Sequence, residues 1–215
     1  MKKGLTEIVF ILDRSGSMAG LEEDTIGGYN SMLLKQKKQE GEVVVSTVLF
    51  NHDCQVIHNR VNLKEVSPLR QEDYQVWGST ALLDAIGRAI HKIGNVQKYT
   101  PEEFRAEKVL FVITTDGMEN ASKEYSYNTL RHMIERQQER YGWEFIFLGA
   151  NIDAIKTAGR FGIRKDRAVN YHSDRRGTDL NYAVISETIS ELRCSGCISE
   201  DWKEKIDEDY QKRSK

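Results

Sequence analysis

Two prolines and three cysteines in 215 residues are the scarcest signals in this chain. So little proline excludes a proline-rich linker. An odd number of cysteines is a poor disulfide framework, so reduced thiols in a cytoplasmic protein are expected. Long apolar runs are missing as well. The longest early ones, residues 8–12 and 43–45, fall far short of the ~18 residues of a membrane span. The first is also too short for a signal-peptide core, and Asp13 interrupts it. Charge of one sign is absent too: 31 Lys and Arg stand against 33 Asp and Glu, a net −2. Neither nucleic acid nor an anionic membrane is therefore an expected partner. What the chain does have is a globular share of apolar residues, 39%, beside 16 glycines. That suffices for one domain with a sizeable core.

The apolar residues come in alternating patterns. Residues 8–12 form a continuous run, as in a strand buried on both faces. A helix is expected over 21–39, with Gly27-Gly28 explained by close packing and Gly41 as its stop. Residues 43–50 read as a strand, Asn51-His52-Asp53 as a turn, and 54–61 as its hairpin partner. After an irregular 62–79, a helix is expected over 81–93, stopped by Gly94-Asn95. Doubly buried strands follow at 108–115 and 143–148, and a weak strand near 167–170. Helices are expected over 124–140, 151–160 and 178–193. The last 15 residues balance five bases against five acids, as in a solvated helix or frayed tail. Strand–helix alternation of this kind predicts an α/β fold, a mostly parallel sheet with helices on both faces.

In an open α/β sheet, ligands bind beyond the carboxyl ends of the strands. Asp13-Arg14-Ser15-Gly16-Ser17 follows the first strand, and Asp116-Gly117 follows the 108–115 strand. Gly78-Ser79-Thr80 precedes the second long helix. Alternate positions of an extended turn point the same way, so Asp13, Ser15 and Ser17 can converge, with Asp116 adding a carboxylate and Thr80 a hydroxyl. An all-oxygen set selects a hard cation: Mg²⁺ first, with Mn²⁺ or Ca²⁺ also possible. Each piece alone has a plainer reading. Ser17 and Thr80 suit helix N-caps, and Asp-Gly suits a turn. It is their joint placement at strand and helix ends that points to a site.

These segments carry a resemblance. Asp13-Arg14-Ser15-Gly16-Ser17-Met18, Gly78-Ser79-Thr80-Ala81-Leu82-Leu83-Asp84-Ala85 and Thr114-Thr115-Asp116-Gly117 resemble the metal-ion-dependent adhesion site (MIDAS) of von Willebrand factor type A (vWA, integrin I-like) domains, in particular the stand-alone bacterial type. The resemblance covers roughly residues 5–193. It implies a three-layer Rossmann-like vWA domain over 1–193, with sheet order 3-2-1-4-5-6 and strand 3 as an antiparallel edge. Residues 194–215 would be a helical or frayed extension. It also implies that Ser15, Ser17 and Thr80 hold a divalent ion through hydroxyls, while Asp13 and Asp116 act through waters and hydrogen bonds. An Asp or Glu of a partner protein would complete the shell. The implied role is a non-enzymatic, metal-dependent binding module, for instance an accessory subunit of an intracellular AAA+ ATPase or tellurite-resistance complex.

The binding face would include Met18, the 51–53 turn, Trp77 and Met118-Glu119-Asn120. Met18 and Trp77 could anchor a partner, while packing on the domain's own surface is the plainer reading of Trp77. The five histidines show no paired ligand spacing. Cys194 and Cys197 match half a zinc site or a redox pair, but no second pair exists, so incidental thiols are expected. The alternative function is a Mg²⁺-dependent phosphohydrolase with Asp13 as nucleophile. Ser15 stands where that chemistry wants a second carboxylate, and no phosphate loop is present.

Overall fold

The computed structural model describes residues 1–214. The chain runs β1 (Lys2–Asp13), α1 (Glu22–Lys37), β2 (Glu42–Phe50), β3 (Cys54–Asn62), α2 (Leu82–Tyr99), β4 (Ala106–Asp116), α3 (Tyr127–Tyr141), β5 (Glu144–Ala150), α4 (Ala154–Arg160), β6 (Ala168–Asn170), α5 (Arg175–Ser195) and α6 (Glu204–Arg213). The strands form one sheet in the order β3-β2-β1-β4-β5-β6. Only β3 runs antiparallel, paired with β2 through the Asn51–Asp53 turn. This is the α/β architecture and strand order that the resemblance implied.

The continuous apolar strands are explained by the two faces they fill. Successive side chains of a strand point to opposite faces. In β1, Ile8, Phe10 and Leu12 enter one core with Tyr29 and Met32 of α1 and Ile185 and Ile189 of α5. Val9 and Ile11 enter the other, with Leu82, Ile86 and Ile90 of α2, Leu130 of α3 and Ala154 of α4. The central strand β4 divides its residues in the same way, Leu110 and Val112 to the first core and Phe111 and Ile113 to the second. Each such side chain contributes about 1.5–3 kcal/mol when fully buried.

Several expectations are corrected. The second helix does not stop at Gly94-Asn95 but runs on to Tyr99. Its apolar stripe, ending in buried Ile90 and Ile93, outweighs the roughly 1 kcal/mol cost of an internal glycine. Pro101 disfavours helix at Thr100, which is where the chain turns extended. The third helix begins at Tyr127 rather than 124, because the Asp84 carboxylate takes the amides of Lys123, Glu124 and Tyr125 at 2.9, 3.0 and 2.9 Å. Close packing holds for Gly28, whose Cβ would lie 2.2 Å from the Tyr182 ring, but not for Gly27, which faces open space.

The C-terminal segment is neither frayed nor merely solvated. Ile198, Trp202 and Ile206 are buried in the first core, and Trp202 Nε1 donates to Asp166 O at 2.7 Å. Arg213 of α6 pairs with Asp174 and Asp209. The Tyr210 ring stacks on His172 at 4.7 Å, and Ser214 Oγ lies 3.4 Å from His172 Nε2. So few apolar residues among so many charges hid this docking in the sequence.

Candidate metal centre

The register places Leu12 of β1 opposite Thr114 of β4. Asp13 and Asp116 therefore leave the sheet side by side. Asp13 is almost wholly buried. Its Oδ1 accepts the Ser15 amide at 2.7 Å, and its Oδ2 accepts Thr115 Oγ1 at 2.6 Å and the Asp116 amide at 3.3 Å. Its carbonyl accepts the Tyr74 hydroxyl. Burial pushes the Asp13 carboxyl above the usual aspartate range, and the bonds from Ser15, Thr115 and Asp116 oppose that rise.

The chain then makes a single 3₁₀ turn, Gly16–Met18, with Ser15 before it. Ser15 makes no side-chain cap. Its Oγ lies 3.1 Å from Ser17 Oγ, and Ser17 Oγ donates to the Asp116 carbonyl. Ser17 is therefore not spent on the helix-cap role that it suits in isolation. The turn is pinned to the neighbouring loop by Gly16 N donating to Gly78 O at 2.9 Å. Gly78 has φ +80°, and a Cβ there would lie 2.5 Å from His52 Nδ1, so only glycine suits the position.

Thr80 is buried beside this loop. Its amide donates to Asn120 Oδ1 at 2.8 Å, and its carbonyl accepts the amides of Asn120 and Ala121 at 3.0 and 3.2 Å. The α2 cap position falls on Ala81, without a side-chain bond, so Thr80 is not a helix cap either. Among the described residues, no hydrogen bond joins the Thr80 hydroxyl to the other four side chains. The Asp116 carboxylate faces β5 and β6. It accepts Asn151 Nδ2 at 2.5 Å and the Ser173 hydroxyl.

Four of the five predicted residues are thus linked by hydrogen bonds, Asp13 with the Ser15–Ser17 turn and with the Asp116 backbone. The Asp116 carboxylate is held by Asn151 and Ser173, and Thr80 is tied to Asn120 and Ala121 instead. The sequence reading missed Asn151, Ser173, Thr115 and Tyr74. Asn151 directly follows β5, where the strand-end rule extended to every strand points, whereas Ser173 lies three residues past the short β6.

Whether a divalent ion suits these residues turns on charge. Asp13 and Asp116 are both buried, and neither is ion-paired among the described residues. Two buried carboxylates without a cation are costly. The surrounding donors are neutral hydroxyls, the chemistry of a hard-cation site. Among the described residues no group of three or more His, Cys, Asp or Glu gathers to hold a metal, so an ion here depends on Ser15, Ser17 and Thr80 beside the two aspartates. The residues fit.

The surrounding face differs from expectation at Met18, which is 3% exposed and packs inward as part of the floor. It is not a surface anchor. Asn51 is likewise buried and acts as a strut, its carbonyl taking the Ala81 amide at 2.7 Å and its Nδ2 donating to Trp77 O at 3.0 Å. Trp77 is 55% exposed, with its ring edge-on to His52 at 4.5 Å. Met118 is 75% exposed. The cysteines are free, with Cys194 and Cys197 exposed. No helix among the described residues is long and apolar enough to cross a membrane.

Strand order and strand directions are those of a von Willebrand factor type A fold. Solved structures agree. The von Willebrand factor type A protein from Catenulispora acidiphila superposes with TM-score 0.58 at 13% identity, over 85% of this chain and 42% of that one. The vWF domain of the type V pili tip protein Mfa5 from Porphyromonas gingivalis gives 0.62 at 10% identity, over 91% and 98%. Proximal thread matrix protein 1 from mussel byssus gives 0.58 at 15%, over 89% and 46%. This chain spans less than half of the first and third of these. No protein-family profile matches it, and no curated protein does.

Proposed function

We propose that this chain is a binding module that grips a partner protein through a divalent cation and catalyses nothing itself. The observation that carries the reading is the pair of buried, unpaired carboxylates, Asp13 and Asp116, beside a turn presenting Ser15 and Ser17. Ser15, Ser17 and Thr80 would hold the ion through hydroxyl oxygens, with Asp13 and Asp116 behind them. Mg²⁺ is the first candidate, Mn²⁺ or Ca²⁺ the others. When bound, the ion supplies an open coordination position for an Asp or Glu carboxylate of the partner.

Each residue has its own task. The Ser15 amide and Thr115 hydroxyl fix the Asp13 carboxylate. Asn151 and Ser173 fix that of Asp116. Exposed Trp77 and Met118 flank the cup and offer apolar contact to a docked protein. The vWA fold, shared with the vWF domain of a type V pili tip protein, supports an interaction role.

Calorimetric titration of Mg²⁺ into the wild type, Ser15→Ala and Asp116→Ala tests the metal. Weaker binding in both variants is expected, and equal affinities overturn the assignment. Magnesium-dependent phosphate-ester turnover that Asp13→Asn abolishes would instead establish the phosphohydrolase.

A further inference from the structure

The segment from Asp116 to Asn120 runs as a strap from the Ser15–Ser17 turn to Thr80. At its start, the Asp116 carbonyl accepts the Ser17 hydroxyl, and Gly117 passes so close that a Cβ there would lie 3.3 Å from Ser17 Oγ. At its end, Asn120 Oδ1 accepts the Thr80 amide at 2.8 Å, and the Thr80 carbonyl accepts the amides of Asn120 and Ala121 at 3.0 and 3.2 Å. Both backbone polar groups of Thr80 are held in this way.

Glu119 fastens the strap to α2. Its Oε1 accepts the amides of Ala121 and Ser122 at 2.9 and 2.7 Å. Its Oε2 accepts the Leu83 amide at 2.9 Å and the Ser122 hydroxyl at 2.7 Å. Ser122 Oγ in turn accepts the Asp84 amide at 3.1 Å. The first amides of a helix have no partner within it, and α2 has no side-chain cap at Ala81. Glu119 supplies from another loop what the local sequence does not, and a carboxylate suits that end of the helix dipole. Four donors on its two oxygens leave it little capacity for a metal or a docked protein. The face expected of residues 118–120 is therefore narrower. The side-chain oxygens of Glu119 and Asn120 are aimed at α2 and Thr80, while Met118 is exposed.

We propose that Asn120 and Glu119 are positioning residues of the candidate metal centre. They hold Thr80 in fixed register with Ser17, so that hydroxyls from two separate loops serve one ion. This rests on the metal reading above. Thr80 depends on the strap because its hydroxyl makes no hydrogen bond to the other four side chains among the described residues. Loss of an outer residue that orients a metal ligand typically weakens affinity roughly 10–100-fold. Asn120→Ala removes the acceptor of the Thr80 amide, and Asn120→Asp keeps one. Glu119→Gln keeps the shape but leaves one acceptor oxygen for four donors.

Calorimetric Mg²⁺ titration of the wild type and these three variants tests the assignment, with a metal-free Tm measured for each. Asn120→Ala and Glu119→Gln should raise Kd roughly 10–100-fold, and Asn120→Asp should bind no more weakly than the wild type. An unchanged Kd in Asn120→Ala or Glu119→Gln, even with a lowered Tm, marks the strap as purely structural. That result overturns the proposal and leaves the metal reading standing. So does Asn120→Asp binding as weakly as Asn120→Ala. If Asn120→Ala does not fold, Glu119→Gln decides by the same rule. A wild type that takes up no Mg²⁺ overturns the metal reading, and the proposal with it.

Discussion

Asp13 sets the balance at the level of single residues. Its carboxyl is protonated more readily in the folded chain than in the unfolded one. A group shifted up in this way favours folding most below the unfolded value of about 3.9, and that contribution is lost as pH rises through the folded value. Charging Asp13 in the metal-free fold is therefore opposed by burial, and a divalent ion bound as proposed would offset that cost. With Mg²⁺ at 100 times its Kd, linkage gives about 2.7 kcal/mol, roughly 5–10 °C in Tm for a chain of this size. That increment should shrink as pH falls and Asp13 protonates. Thermal melts with and without Mg²⁺ across acid pH check it, and a pH-independent increment would contradict the assignment.

His58 works in the opposite sense. Its ring lies between Thr47 Oγ1 at 3.0 Å and Ser67 Oγ at 3.2 Å, and burial lowers its pKa. The neutral form is the folded one. Its stabilisation is present above the unfolded value of about 6.5 and is lost as pH falls through the lower folded value. His58→Gln should flatten the acid limb of a Tm-against-pH curve while changing the neutral Tm little, and an unaltered acid limb would argue against the role.

At the scale of elements, Gly27 and Gly28 are neighbours in α1 with opposite consequences. Ala at 28 drives a methyl into the Tyr182 ring and should cost about 1–3 kcal/mol through displacement of α1 from α5. Ala at 27 meets nothing within 4 Å and should gain up to about 1 kcal/mol of helix propensity. Chemical denaturation of the two variants should show opposite signs. The pair also marks what the sequence could reveal. That a doubled glycine in a helix needs a packing reason was legible; which of the two carries it depends on a tyrosine more than 150 positions away. Strand existence was legible because two buried faces leave continuous apolar runs. The end of α2 was not, because the local stop at Gly94-Asn95 competes with a buried stripe that only the folded sheet creates.

Across the whole molecule, the sheet order came from the resemblance rather than from any pattern in the strands, since buried parallel strands look alike. The five candidate residues were singled out because Asp13, Ser15 and Ser17 lie at the end of one apolar strand, Asp116 ends another and Thr80 stands just ahead of a helix. Asn151 and Ser173 were hidden, the latter by the three-residue length of β6. The docking of α6 rests on a few apolar residues, Trp202 and Ile206 foremost, within a charged segment. Ile206→Ala should lower stability by about 2–5 kcal/mol, roughly 5–15 °C in Tm, read by thermal circular dichroism. An unchanged Tm would show that α6 contributes little.

The docked helix also decides how the protein can be handled. Ser214 ends against His172, next in sequence to the Ser173 that holds Asp116, whereas Lys2 begins β1 at the far end of the sheet. A label or bead fixed at this end of α6 would crowd the rim at which a partner is proposed to dock. The same label fixed near Lys2 would leave that rim clear.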